Sequence, residues 1–143
     1  MTLSNTNHTV PILMTNSLDV PTDRPMVGLS VNVYRTARYV VINAGLPRCR
    51  PENIHVTLAP DQLLIEAERH LGEENVEEEE REYLVQELPY GAIGRVIPLP
   101  NVDLALHSAE AHFANGLLIV TIPTTEWAAR LRHKLGGEVP QED

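Results

Sequence analysis

The sequence predicts an all-β fold, an antiparallel immunoglobulin-like β-sandwich. Short apolar segments recur at intervals of about ten residues through the middle of the chain, and proline and glycine separate them. Little of this stretch has the period of an amphipathic helix. The dipeptide Asn115-Gly116 joins two β-forming segments and supplies the positive φ angles that a tight hairpin turn requires. The 143 residues fit one domain with short extensions.

The individual strands are identified by alternation and by β-branched residues. Leu29, Val31 and Val33 alternate with polar residues, which indicates a half-buried strand. Pro98 suits a strand end or an edge strand, because proline cannot donate to a β-ladder. The predicted strands, about eight in all, lie at 29–34, 39–42, 54–58, 63–68, 83–88, 93–99 and in the two arms of the hairpin at 111–123.

The chain divides into an N-terminal arm (1–27), a sandwich domain (28–123) and a C-terminal extension (124–143). The arm is rich in Thr, Asn, Ser and Pro, so we expect it to be flexible. The extension has one helix-like turn at 126–133 and a polar end, and it is also expected to be flexible. The arm contains one apolar island, formed by Val10, Ile12, Leu13 and Met14.

The charge of the chain is acidic overall and unevenly placed, with a formal net charge of −9. Seven of the twenty acids lie at 73–82, which leaves 13 acids against 10 bases elsewhere. Nucleic-acid binding needs clustered Lys and Arg, whereas this chain has a single lysine, Lys134, and dispersed arginines. We therefore expect no nucleic-acid partner. Aromatic residues make up only 4% of the chain, so the core must be built from Val, Ile and Leu.

The sequence also indicates a compartment. No apolar run approaches the roughly 20 residues of a membrane span, so no membrane partner is expected. No basic-then-apolar secretory start precedes Arg24. Cys49 is the only cysteine, so no internal disulfide can form, which is consistent with a reducing environment. We expect a cytoplasmic protein.

The residue types that carry catalysis or bind metals do not converge. Histidines 107 and 112 lie five apart, and such positions on a strand point to opposite faces, so one metal could not readily take both. The glutamates at 73–82 lack the alternating ligands and the glycine turn of a calcium loop. Cys49 lies between Arg48 and Arg50, which can lower its thiol pKa, although a structural thiol is the alternative. We expect no cofactor, no metal and no enzymatic activity.

Three blocks of sequence carry a family resemblance. The pattern Ala-x-x-x-Asn-Gly-x-Leu at 111–118 closely resembles the signature near the end of the α-crystallin domain of small heat-shock proteins. The connection at 44–56 and the segment at 89–100 are similar to two further blocks of that family, in the same order. Arg48 stands where the family usually has Gly, and Asn53 where it usually has an acid. The resemblance covers about 28–123 and implies the β-sandwich that the strand pattern predicts.

The resemblance implies a homodimer. Arg95 matches the signature arginine that the family places at its dimer interface with acidic partners, although an arginine on an exposed strand face is the alternative. Bacterial and plant members exchange a short strand between subunits, and the 13 residues between Arg69 and Tyr83 suffice for such an exchange. An unexchanged, solvated loop is the alternative. The residues assigned to this interface are Arg95, Glu77, Glu78, Glu79, Glu80 and Tyr83.

The resemblance also implies an apolar groove. Members that form large shells dock a C-terminal Ile-x-Ile or Ile-x-Val segment there, but after Pro123 this chain has only Val139-Pro140, which argues against large assemblies held by such a tail. Val10-Pro11-Ile12 has the required spacing, so we hypothesise that the arm enters the groove; an incidental or client-binding patch is the alternative. The groove residues are Ile54, Val56 and Leu58 on one side and Ala109, Ala111 and Phe113 on the other.

The function implied is that of an ATP-independent holdase, which binds partly unfolded proteins and prevents their aggregation under stress. Its partners would be unfolding clients and other copies of itself, in a homodimer or a small oligomer. The alternative on the same sandwich is a binding module like the CS-domain co-chaperones, which recognises one folded partner. Such modules would not need the long acidic loop or the Ala-x-x-x-Asn-Gly-x-Leu hairpin.

Overall fold

The computed structural model describes residues 7–19, 28–70, 82–88 and 90–138. In chain order its elements are β1 His8–Thr9, β2 Ile12–Met14, β3 Ser30–Arg35, β4 Tyr39–Gly45, β5 Cys49–Leu58, β6 Gln62–Arg69, β7 Gly91–Pro98, a 3-10 turn Leu106–Ser108, β8 Glu110–Ala114, β9 Leu117–Pro123 and helix α1 Thr125–Glu138. Sheet A has the order β1-β8-β9-β4-β3, and sheet B has the order β2-β5-β6-β7. Within the described residues, no helix is long and apolar enough to cross a bilayer.

The two sheets form the predicted β-sandwich. All strand pairs are antiparallel except β2 with β5, which is parallel. Inward-facing aliphatic side chains fill the space between the sheets, as the low aromatic content predicts. Among the described residues, the largest fully buried side chains are Ile42, Leu46, Leu58, Leu63, Ile65, Leu118, Ile122, Val40, Val56 and Val120.

The hairpin between β8 and β9 forms at the predicted dipeptide. Asn115 has φ 54° and Gly116 has φ 77°, both in the left-handed region that a two-residue hairpin turn requires. Ala114 pairs with Leu117, so the turn contains only these two residues. The backbone N–H of Leu46 donates to the carbonyl of Gly116 at 2.7 Å, which ties the turn to the end of β4.

The expectation of a flexible N-terminal arm is wrong for its described residues. β1 pairs with β8, and β2 pairs with β5, so the arm extends both sheets. Pro11 lies between the two short strands, where the chain passes from sheet A to sheet B and no ladder hydrogen bond is required from it. The composition is that of a mobile segment, but an apolar surface on the domain offers the island a place to be buried.

The predicted strand at 83–88 is also wrong for the single chain. The described residues 82–88 are exposed and belong to no sheet. Leu84 and Val85 have 88% and 76% of their surface accessible to solvent. The side-chain pattern suits a strand, but a strand needs a neighbouring edge, and within the described residues none pairs with this segment.

The C-terminal extension forms a longer helix than the predicted turn. Helix α1 has 14 residues and begins after Thr124, whose Oγ1 accepts a hydrogen bond from the backbone N–H of Trp127 at 3.1 Å. Ala128 is buried where the helix faces outward-pointing residues of sheet A, including Tyr39 and Thr121. The expectation of a flexible extension therefore does not hold for its described part.

Candidate functional site: an apolar groove and open strand edges

One side of the sandwich opens between β5 of sheet B and β8 of sheet A. Ile54, Val56 and Leu58 alternate along β5 and point inward, and Ala111 and Phe113 do the same on β8. Ala109 lies just before β8 and packs against this cluster. The side chains named from sequence as groove residues thus line one apolar surface.

The arm of the same chain lies over this groove. The N–H of Val10 donates to the carbonyl of Ala111 at 2.8 Å, and its side chain is only 3% exposed. Ile12 pairs with Val56 and Met14 with Leu58. Leu13 points away from the groove and is 66% exposed. The island therefore contributes alternate residues to the core, as an extended segment does.

The arm is held by few interactions. It forms two short strands, and the N–H of Thr15 adds one hydrogen bond to the carbonyl of Leu58 at 3.0 Å. Val10 is its one fully buried apolar side chain among the described residues, and such a burial contributes about 1.5–3 kcal/mol. A segment held in this way is expected to open locally before the domain unfolds.

Arg95 lies on β7, which is an edge strand of sheet B. Its neighbours on the same strand face, Ile93 and Ile97, are buried, whereas the Arg95 side chain is exposed at the sheet edge. Its Nη1 donates to the carbonyl of Leu29 at 3.2 Å. The acids assigned to it from sequence, Glu77 to Glu80, lie outside the described residues. The interaction proposed between Arg95 and these acids therefore remains a prediction.

A second open edge belongs to sheet A. Strand β3 pairs with β4 on one side, and no described strand pairs with its other side. It carries two exposed large side chains, Val33 and Tyr34. In the exposed segment 82–88, the ring of Tyr83 lies 6.3 Å from that of Tyr90. An open edge and an exposed apolar segment are thus both present in one chain.

Helix α1 builds a surface that the sequence analysis did not identify. The guanidinium of Arg38 lies 4.2 Å from the centre of the Trp127 ring. The indole Nε1–H of Trp127 donates to the Tyr39 hydroxyl at 2.9 Å, and the two rings meet edge to face. Arg130 and Lys134 follow on the helix, and we refer to Arg38, Trp127, Arg130 and Lys134 as the basic corner. Arg38 and Trp127 are far apart in the sequence, so local spacing does not reveal this surface.

Cys49 does not have the environment of a reactive thiol. Burial raises the pKa of Cys49 above its usual value, and the nearby Arg69 opposes this effect only in part. The expected influence of Arg48 and Arg50 is not what determines the pKa. In the described parts of the chain, no three His, Cys, Asp or Glu side chains cluster in a way that could hold a metal ion.

Comparison with known proteins gives one consistent result. The sequence matches the model of the Hsp20/alpha crystallin family over residues 32–134. A search of curated proteins finds no match. Among solved structures, heat shock protein 16.0 from Schizosaccharomyces pombe is 27% identical, with a TM-score of 0.58 over 69% of this chain and 88% of that chain.

Two bacterial structures are similar as well. The hspA protein from Xanthomonas axonopodis is 28% identical, with a TM-score of 0.57 over 68% of this chain and 93% of that chain. A small heat-shock protein from Xylella fastidiosa is 24% identical, with a TM-score of 0.57 over 70% of this chain and 88% of that chain. The last of these shows a shared fold.

Proposed function

This chain is a member of the Hsp20/alpha crystallin family, and from that premise we propose that it is an ATP-independent holdase chaperone. It would bind partly unfolded proteins and prevent their aggregation. The family match and the similarity to heat shock protein 16.0 and to hspA support a chaperone role of this type. The cytoplasmic location and the absence of enzymatic activity remain predictions from the sequence.

The observation that carries the proposal is the apolar groove under a weakly held cover. A client that begins to unfold exposes extended apolar segments and strand edges. The groove already accepts one such segment, because the arm inserts Val10 between β5 and β8 and pairs with their edges. When the arm leaves, a client segment with the same alternation would gain roughly 25 cal/mol for each Å² of apolar area buried.

We further propose that the working unit contains at least two copies. Segment 82–88 carries exposed apolar side chains, and β3 offers an unpaired edge with Val33 and Tyr34 exposed. Pairing this segment with β3 of a second copy would satisfy backbone groups and cover apolar surface on both chains. Arg95, at the edge of sheet B beside Leu29, is the proposed partner for an acid of segment 82–88 of the second copy.

The holdase is tested by light scattering of a heat-labile model protein, with and without this chain and with no ATP. Multi-angle scattering at the same concentrations gives the mass of the assembly. Suppression of aggregation at near-equimolar ratios is the expected result. If scattering is unchanged at a severalfold excess of this chain, the holdase is rejected and recognition of a single folded partner becomes the better reading of the sandwich.

A further inference from the structure

The basic corner is a positively charged surface on an acidic chain. Its positive charges are those of Arg38, Arg130 and Lys134. The acid described beside them is Glu126, whose Oε2 lies 3.8 Å from Nη2 of Arg130. His133 borders the same surface. The corner therefore carries a local excess of positive charge, whereas the whole chain has a formal charge of −9.

The shape of the corner suits an extended partner. A cleft of about 170 Å³ lies between Arg38, Trp127 and Arg130. Trp127, Leu131 and Lys134 continue this surface along the helix. Apolar surface thus lies between positive charges, an arrangement that an acidic segment with interspersed apolar residues would match.

The chain's own acidic run, 73–82, cannot readily reach its own corner. β6 ends at Arg69, which pairs with Gly91 next to Tyr90, and Tyr83 contacts Tyr90. Both flanks of the run are therefore at the end of the sandwich where Gly45 pairs with Leu117, while the corner is at the opposite end, beside the pair of Tyr39 and Pro123. That separation is about 20 Å along β4 alone, and the sandwich thickness adds roughly 10 Å.

Because Arg69 and Tyr83 lie at the same end of the sandwich, the loop between them must go out and return, so the distance it can reach is set by half of its residues. The 13 residues between Arg69 and Tyr83 would extend at most about 23 Å if half of them were fully stretched. A contact within one chain would therefore require a taut loop, and even then only its tip would approach the corner. A second copy has no such restriction.

The strand directions supply an independent argument. β3 is antiparallel to β4, so its last residue, Arg35, pairs with Val40 near the corner, and its first residue, Ser30, pairs with Gly45 at the far end. If segment 82–88 of a second copy pairs antiparallel with β3, its first residue comes to the Arg35 end. The acidic run immediately precedes that residue and is delivered to the corner. Parallel pairing would deliver it to the opposite end.

We propose that the basic corner of one copy binds the acidic run of a second copy and thereby fixes the antiparallel direction in which segment 82–88 pairs with β3. The inference rests on the proposed dimer and adds a partner surface to it. It gives helix α1 a role in assembly through charge.

The test compares dimer dissociation constants, measured by sedimentation equilibrium, for the wild type and two charge-reversal variants. Arg130→Glu/Lys134→Glu should weaken the dimer about tenfold or more, because two attractive contacts become repulsive. Arg50→Glu is the control at another exposed arginine, and it should change the constant less than about threefold. The wild-type dimer should also weaken as salt rises, since the screening length falls from about 30 Å at 0.01 M to about 8 Å at 0.15 M.

Rescue by a complementary chain makes the test specific. Glu78→Lys/Glu80→Lys should weaken its own dimer, and mixing it with Arg130→Glu/Lys134→Glu should give heterodimers in preference to either homodimer. Unchanged constants, equal weakening by Arg50→Glu, or a statistical mixture overturns the proposal. If the variants do not behave as expected but the wild type still dimerises and suppresses aggregation, the proposed function stands and only the role of the basic corner is rejected. Circular dichroism of each variant checks that α1 remains folded, and Arg130→Gln/Lys134→Gln provides a milder variant if it does not.

Discussion

Replacing Val10 with Ala tests whether the arm is a separately releasable cover. The substitution removes two buried CH₂ equivalents, each worth about 0.8 kcal/mol, so docking of the arm should weaken by about 1.6 kcal/mol. At 1.4 kcal/mol per factor of ten, the undocked population should rise about fifteenfold. The strands of the sandwich that do not pair with the arm should keep their stability, because the change is confined to the arm.

The assay is native-state hydrogen exchange followed by NMR or mass spectrometry. The amides of Val10 and Thr15, which donate to the domain, should exchange about fifteenfold faster in the variant. Amides in β4, which pairs with β3 and β9, should be unaffected. Leu13→Ala is the matched control, because Leu13 is in the same island but largely exposed. Equal acceleration by both variants, or a uniform loss of protection across the domain, would refute the reasoning.

Three other predictions concern the hairpin, the aromatic cluster and the thiol. Gly116→Ala places a side chain at positive φ and should cost about 1–2 kcal/mol in urea unfolding, whereas Gly45→Ala, whose added Cβ meets its nearest neighbour at 4.0 Å, should cost little; similar costs would contradict the turn argument. Tyr39→Phe leaves the Trp127 indole N–H without its partner and should lower stability by about 1 kcal/mol and lower the melting temperature, and an unchanged melting temperature would show that the bond contributes nothing. Burial raises the pKa of Cys49, so the rate of alkylation should reach its half-maximum at a higher pH than that of a free cysteine measured alongside; an equal or lower midpoint would contradict the buried environment.

The sheet architecture was predictable from local pattern. Alternation identified Leu29 to Val33 and the strands that carry the groove residues, and Asn115-Gly116 fixed the hairpin between β8 and β9. These features depend on residues close in sequence. Because the strands and the hairpin turn do not depend on distant contacts, the local pattern was sufficient to predict them.

The features that were missed depend on distant contacts. The arm has the composition of a flexible segment, and only the apolar surface of β5 and β8 gives Val10 a buried position. Segment 82–88 has a strand pattern, but it pairs with no strand within the described residues. The cluster of Arg38, Tyr39 and Trp127 joins residues 88 positions apart, and no local spacing reveals it.

The arm determines how many strand edges of one chain are open to pairing with other chains, because β1 and β2 each cover one sheet edge. A single segment of seven residues, from His8 to Met14, closes one edge of sheet A and one edge of sheet B. While it is docked, the remaining longer edges are β3 and β7, and the short strands β1 and β2 are poor templates for further pairing. In polymer terms the chain with a docked arm is bifunctional, with β3 and β7 as its two binding edges. It becomes tetrafunctional when the arm leaves, because β5 and β8 are then edges as well. Release of the arm would allow copies of the chain to form a branched network as well as closed or linear associations.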